Sequence, residues 1–469
     1  MAISLSSELL SLSQQWQLQL GTVPTVVVSS AEAAREVMKT HDEDCCTRPV
    51  SPGMKRLSYG LSNVGFAPYG PYWSMMRKFL LVELFGVRHV KAAWHARQYQ
   101  AHFLPVIGRL VDQITGLAAR RERIFKKLDT FFEIIIEQHL DPQRVKPQNG
   151  DLVDRLIGLW KDNSGTLSIT RDHVKGIIFG TFIGGSDTAS VTILWAMAEL
   201  IRKPRLQKKV QDEIRSMVGG NESVQPDDLV KLAYLKMVVK ETLRLHPPAT
   251  MLLPREAMRD IQIGGYDVPA KTRIYVNAWA IGRDPTSWPD DPEEFKPERF
   301  ETSEIDFKGA HFELTPFGAR RRICPALSMS IATVEFTLAN LLYCFDWALP
   351  KGAVVSMEEE GKLIPLLKTP LVLVPTPYRH ILLNSLKPYP SMGALKQWEG
   401  QVHRRPPRGQ CRRLAAVIYH GCAAAPPDYN TTHGSTLHQA CIKKARDFAS
   451  AIKGTPIEHN EVHDFASSS

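Results

Sequence analysis

Apolar positions in this chain recur every three to four residues far more often than every two, so helix is the dominant expectation. LQLGTVPTVVVSS marks two short strands, with Leu18 and Leu20 alternating before a turn at Gly21 and a β-branched run from Val26 to Val28. Helical spacing follows in AEAAREVMKTHDE, which Ser30 caps, then from Tyr72 to Arg97 and from Leu110 to Leu140. The segment Ile169 to Arg202 is too long and too apolar for a surface helix, so it should cross the core. Further helices fit Arg205 to Val218, Leu229 to Leu245 (stopped by Pro247 and Pro248) and Leu327 to Tyr343. Short strands fit Ile261 to Ile263 and Thr272 to Val276, before a Pro-, Asp- and Trp-rich loop from Asp284 to Phe300. The expected class is mainly α with a small β portion.

The texture changes beyond Tyr378, where no period is sustained and Arg, Pro and Gly are frequent. Three parts are therefore expected: an atypical leader over 1–17, a folded domain over 18–378, and a basic, weakly ordered tail over 379–469. No internal repeat is present. No apolar run approaches the length of a membrane span, and the leader MAISLSSELLSLSQQ lacks the basic start and long apolar core of a signal peptide.

At 469 residues, with 43% hydrophobic and 23% charged, the chain is ordinary globular material. The net charge of +9 is spread along the chain and interleaved with acids, which argues against nucleic acid. It suits an acidic protein partner or an anionic membrane surface, hence a peripheral membrane contact. Seven cysteines, odd in number and without a CxxC spacing, disfavour a disulfide framework and a cysteine-rich zinc site and fit a reducing compartment. The sequons at Asn221 and Asn430 are then chance matches.

The chemistry concentrates in a few short stretches. PFGARRRICPA sets Arg320, Arg321 and Arg322 just before Cys324, where positive charge favours the thiolate. A thiolate there is a nucleophile in search of a histidine base, such as His311 or His246, or a metal ligand, including an axial ligand to heme iron. Gly184 and Gly185 sit mid-helix, each at a cost of about 1 kcal/mol against Ala. Close helix packing accounts for such a pair, and so does close approach to a flat ligand with Asp187 and Thr188 supplying polar groups. In KETLRLHPP, Glu241 and Arg244 share a helix face, and Arg299 follows in PERF; two arginines on one buried carboxylate would form a clamp. Trp73 and Arg77 in YWSMMRK place two donors on one helix side, which also describes an amphipathic helix with an aromatic anchor.

Taken together and in order, WSMMR, GGSDT, KETLR, PERF and FGARRRIC resemble the plant cytochrome P450 monooxygenases of the microsomal type, over roughly Leu18 to Tyr378. VVVSSAEAAREVMKTHDEDCCTRP and GFAPYGPYW look like the family's early strand, helix and loop region. The resemblance implies a cytochrome P450 fold binding heme b, with Cys324 as the axial iron ligand and Phe317 beside it. It implies Arg322, Trp73, Arg77 and Arg255 on the heme propionates, and Glu241, Arg244 and Arg299 as a structural triad. Asp187 and Thr188 would serve proton delivery to bound O2, and Gly184 and Gly185 would give the backbone room beside the heme. The implied pocket is lined by Phe182, Ile183, Ala249 to Leu253 and the loop Leu57 to Leu61, for a small lipophilic substrate. The implied partner is NADPH-cytochrome P450 reductase, and the implied location is the cytosolic face of the endoplasmic reticulum membrane.

Several features depart from the family pattern. Arg320 and Ala326 stand where the family has glycine, so a turn requiring φ > 0 would strain at a side chain, more at Arg320 than at Ala326. The N-terminal anchor and proline-rich hinge have no counterpart, and near 98–105 several helices of the family are missing. That internal deletion should expose apolar surface on the long helix between Ile177 and Leu200. Three readings compete: an active monooxygenase, a non-catalytic remnant from a truncated isoform or faulty gene assembly, and an isomerase or dehydratase using the same heme without O2.

Overall fold

The computed structural model describes residues 17–20, 23–84, 117–144, 146, 150–162, 168–221, 223–360 and 364–378. All fall in the first of the two units into which the chain divides, Met1–Lys387. The tail expected over 379–469, residues 1–16 of the leader expected over 1–17, and the segment 85–116, with the expected deletion near 98–105, lie outside the described residues, while Gln17 opens the first strand.

Strand β1 (Gln17–Leu20) pairs antiparallel with β2 (Val23–Val28). Ser30 then caps α1 (Ala31–Arg35) by accepting from the Ala33 N–H, as its position requires. Helix α2 (Pro52–Leu57) and α3 (Pro71–Phe79) both carry proline in the first turn, where its missing N–H costs nothing. Helix α4 (Leu117–Leu140) leads to α5 (Leu152–Asp162), and neither the latter nor the strands near the end of the domain was marked by the sequence pattern.

Central helix α6 (Arg171–Arg202) opens on a capping box between Thr170 and His173. It is buried on nearly all sides, and every apolar residue from Ile177 to Leu200 is buried or half-buried. The exposed apolar surface expected there is found instead at Ile124, Phe131 and Ile134 of α4 and at Leu81 and Val82. The difference has a physical cause: α4 is held on α6 by ion pairs of Lys175 with Asp129 and Glu133 and of Arg171 with Glu133 and Glu137, covering the start of α6.

Amphipathic α7 (Pro204–Val218) buries Leu206, Val210, Ile214 and Val218, one per turn, and α8 (Ala233–Leu245) packs on both it and α6. Strands β3 (Arg255–Glu256), β4 (Ile261–Ile263), β5 (Tyr266–Val268) and β6 (Arg273–Val276) follow. Strand β6 runs parallel to β2, with Val26 opposite Ile274, giving a sheet ordered β1-β2-β6-β3. A short α9 (Ala278–Ile281) precedes the cysteine loop, and α10 (Leu327–Cys344) follows it and packs on α6. Strand pairs β7 (Phe345–Ala348) with β10 (Val374–Pro377), and β8 (Glu359–Glu360) with β9 (Leu366–Leu367), close the domain.

Two helices, α6 and α10, are long and apolar enough to cross a bilayer by length and composition, against the expectation that no segment reaches that length. Both are core helices, whose apolar residues pack on one another.

Candidate active site

The cysteine loop is wound by its own backbone. Cys324 N–H donates to the Phe317 carbonyl at 2.9 Å, Gly318 N–H to Thr315 at 3.0 Å and Ile323 N–H to Arg320 at 3.0 Å. Gly318 adopts φ +69°, and Arg320 adopts φ +57°, the left-handed region where a Cβ is strained. Ala326 lies at φ −95°, which any residue tolerates. Both departures from glycine thus behave as expected. Burial pushes the Cys324 thiol above its ordinary value, while the Ala326 N–H bonded to it and the charge of Arg77 pull the other way. Burial wins, so the thiol is held neutral, and the charge that opposes it comes from Arg77 of α3 rather than from the three arginines beside Cys324 in sequence.

Around the loop lie four largely buried guanidiniums. Arg322 donates to the carbonyls of Cys46 (2.5 Å), Val64 (3.4 Å) and Ala67 (2.8 Å). Burial, with Arg255 and Arg77 nearby, lowers its pKa to about 10. Arg255 bonds Asp42 at 3.2 Å and the Ala319 carbonyl at 3.2 Å. Arg77 lies 5.5 Å from the Trp73 ring centroid and Arg322 lies 4.4 Å from it, so two guanidiniums flank one indole. The indole N–H donates to Val64 O at 3.1 Å, tying Trp73 to the loop before α3. The fourth, Arg48, was not singled out from sequence: it lies in the stretch that resembles the family's early region, but nothing there gives that arginine a role of its own. Burial and the charges of Arg322 and Arg255 hold its pKa well below the ordinary value.

On α6, the Thr188 hydroxyl donates to Gly184 O at 2.7 Å, turning the side chain back along the helix, and Asp187 is buried. A Cβ at Gly184 would meet nothing within 4 Å, so this glycine does not serve helix packing. That role belongs to Gly176 and Gly180, spaced as GIIFG. A Cβ at Gly176 would stand 2.9 Å from the Ser62 Cβ, and one at Gly180 would stand 2.8 Å from the Asn63 Cβ. The pair therefore seats the loop after α2 directly on the helix backbone. Trp73, Ile177 and Phe179 share one apolar cluster with the half-buried Ile183, Ala326 and Met329, which joins the cysteine loop's exit to α6.

The two loops expected to line the pocket carry left-handed non-glycine residues: Tyr59 (φ +52°) and Leu61 (φ +70°) in one, Leu252 (φ +45°) in the other. Such strain persists only where the surroundings impose it, and it gathers at ligand sites.

The second expected group is assembled in full. Arg244 forks onto Glu241 with two bonds of 2.8 Å, and Arg299 Nε adds a third at 2.9 Å. Lys296 N–H completes the carboxylate at 2.7 Å. The arginines also donate to the carbonyls of Gly282, Asp290, Asp291, Pro292 and Glu294, and a Cβ at Gly282 would stand 2.3 Å from Arg244 O. This is a structural clamp in which two arginines share one buried carboxylate and carbonyls take up the remaining donors.

The chemistry of the donor set fits heme. Among the described residues Asp42 is the one carboxylate hydrogen-bonded to the four guanidiniums, a positive excess that two propionates would balance. The thiol of Cys324 is of the type that could ligate heme iron, and a Cβ at Gly184 on α6 would meet open space. Comparison with known proteins agrees. The cytochrome P450 family model matches residues 11–115 and 104–375, two overlapping pieces. A 4-hydroxyphenylacetaldehyde oxime monooxygenase of Sorghum bicolor is 54% identical over 438 residues, covering 78% of this chain and 82% of that protein. A 2-methylbutanal oxime monooxygenase of Manihot esculenta is 41% identical, covering 77% and 84%. A zebrafish cytochrome P450 solved with abiraterone superposes with TM-score 0.65 at 25% identity, covering 80% of this chain and all of the other. The chain belongs to the cytochrome P450 family, whose cofactor is heme. Its class is that of the monooxygenases, which are oxidoreductases, and the Sorghum and Manihot relatives are both named for oximes.

Proposed function

We propose that this chain is a heme-thiolate monooxygenase acting on a small lipophilic plant aldoxime, with electrons from NADPH delivered by NADPH-cytochrome P450 reductase at the cytosolic face of the endoplasmic reticulum. One oxygen atom of O2 enters the substrate and the other leaves as water, consuming two electrons and two protons. Heme, when bound, supplies the iron at which O2 is activated. The chain's own residues do the rest. Cys324 presents the thiolate, held by the Ala326 N–H. Arg322, Arg77 and Arg255 would hold the propionates, whereas Trp73, expected there too, gives its one N–H to Val64 O and instead packs against Arg77 and Arg322. Phe317, whose carbonyl fixes Cys324, packs edge-on to Phe307 beside the loop. Asp187 and the Thr188 hydroxyl would serve proton delivery, with open space at Gly184 beside them.

The observation that carries this reading is the group of largely buried guanidiniums beside the half-buried Cys324. Without an anionic cofactor, only Asp42 among the described residues would offset their mutual repulsion. A second reading, a remnant without activity, has its own observation. The alignment to the Sorghum enzyme spans 438 positions but uses 78% of 469 residues, so roughly 70 positions of that relative have no counterpart here.

The carbon monoxide difference spectrum of the dithionite-reduced protein decides between them. A strongly red-shifted Soret band that disappears in Cys324→Ser is expected, followed by NADPH- and O2-dependent turnover of 4-hydroxyphenylacetaldehyde oxime with reductase present. A protein that takes up no heme supports the remnant, and turnover without NADPH or O2 would point to isomerase or dehydratase chemistry.

A further inference from the structure

Arg48 lies between the two pocket loops. Its Nε donates to Gly65 O at 3.1 Å, in the loop that α6 seats through Gly176 and Gly180. Its Nη1 donates to Leu253 O at 2.7 Å and to Pro254 O at 2.8 Å, in the loop that delivers Arg255. A Cβ on Gly65 would touch Leu253, so the loops themselves meet at this point. Strained Leu61 precedes one anchor and strained Leu252 the other. Among the described residues no carboxylate bonds Arg48, and its charge faces those of Arg322 and Arg255. A buried guanidinium satisfied only by carbonyls keeps its charge uncompensated, which is costly unless a bound anion completes it.

We infer that Arg48 is a positioning residue of the heme and substrate site: its guanidinium bridges the loops 57–67 and 249–254, and its buried charge balances a heme propionate. The three donor directions set the loop geometry, and the charge sets the preference for an anionic cofactor. The second half rests on the heme reading above; the bridge does not.

The full chain and two variants test both halves. Arg48→Gln removes the charge and the fork, whereas Arg48→Lys keeps the charge as a single point that cannot reach three carbonyls. Hydrogen exchange of the backbone amides in 62–67 and 250–256 is expected to quicken at least tenfold in both variants. Hemin titration is expected to weaken about tenfold in Arg48→Gln and to stay within threefold of the parent in Arg48→Lys. The reduction potential of the hemin-loaded Gln variant should move negative and that of the Lys variant should not. Unchanged exchange in Arg48→Lys overturns the bridge, even if Arg48→Gln does not fold. Equal hemin affinity of parent and Arg48→Gln overturns the charge role, as does an Arg48→Lys affinity as weak as expected of Gln. If the parent itself takes up no hemin, the heme reading and the charge role fall together, while exchange in the hemin-free chains still decides the bridge.

Discussion

Arg320 pays for its place with backbone strain, since an L-residue at φ +57° sets its Cβ against its own carbonyl. The side chain is exposed, in a polar cleft shared with Lys39, Arg259, Asp42, Glu43 and Asp44. Among the described residues no hydrogen bond or ion pair fixes it, so little offsets the strain. Arg320→Gly should therefore raise the unfolding free energy by about 1 kcal/mol, seen as a higher urea midpoint at unchanged slope. An unchanged or lower midpoint would mean that the guanidinium finds stabilising contacts in the cleft. The need for glycine at this position was legible, because the loop pattern around Cys324 names it. Arg48 was not legible: its value comes from carbonyls more than 200 residues away at Leu253 and Pro254, which no local pattern reports.

At the scale of elements, α6 shows what periodicity reveals and what it hides. Its length and apolar content announced a core helix, and Arg171–Arg202 matches that expectation. The division of labour among its glycines depends on which loop lies against each turn, so it was invisible beforehand. Gly180→Ala forces a methyl against the Asn63 Cβ, and Asn63 holds the Phe66 N–H through its side chain, so it cannot move freely. A cost of roughly 1–3 kcal/mol is expected. Gly184→Ala meets open space and should instead stabilise the hemin-free protein by about 1 kcal/mol through helix propensity. Thermal melts of the two variants should thus move in opposite directions, and a shared downward shift would mean that Gly184 is packed after all.

Across the whole molecule, β2 lies beside β6 in one sheet although some 240 residues separate them. Such long-range pairing leaves no periodic trace, which is why strands were legible one by one while their order came only through the family resemblance. Three helices close the interior around that sheet's neighbour, the cysteine loop: α6, α8 and α10 all pack on one another. Glu335 lies on α10, and burial pushes its carboxyl up to about 7 from the ordinary 4.5, with Lys236 of α8 pulling the other way. Below about pH 4.5 the acid is neutral in folded and unfolded chains alike, and it leaves stability untouched. As pH rises toward 7 the unfolded chain ionises while the folded chain resists, so stability falls; above about 7 the loss levels off. Glu335→Gln keeps the shape without the charge. It should raise the unfolding free energy by on the order of 2 kcal/mol at pH 8 and by progressively less as pH falls toward 4.5. Urea titrations of parent and variant at pH 5 and pH 8 measure this directly. A gain of equal size at both values would mean that Glu335 ionises as readily inside the helices as in water, and that the packing of α10 on its neighbours admits solvent to the carboxylate.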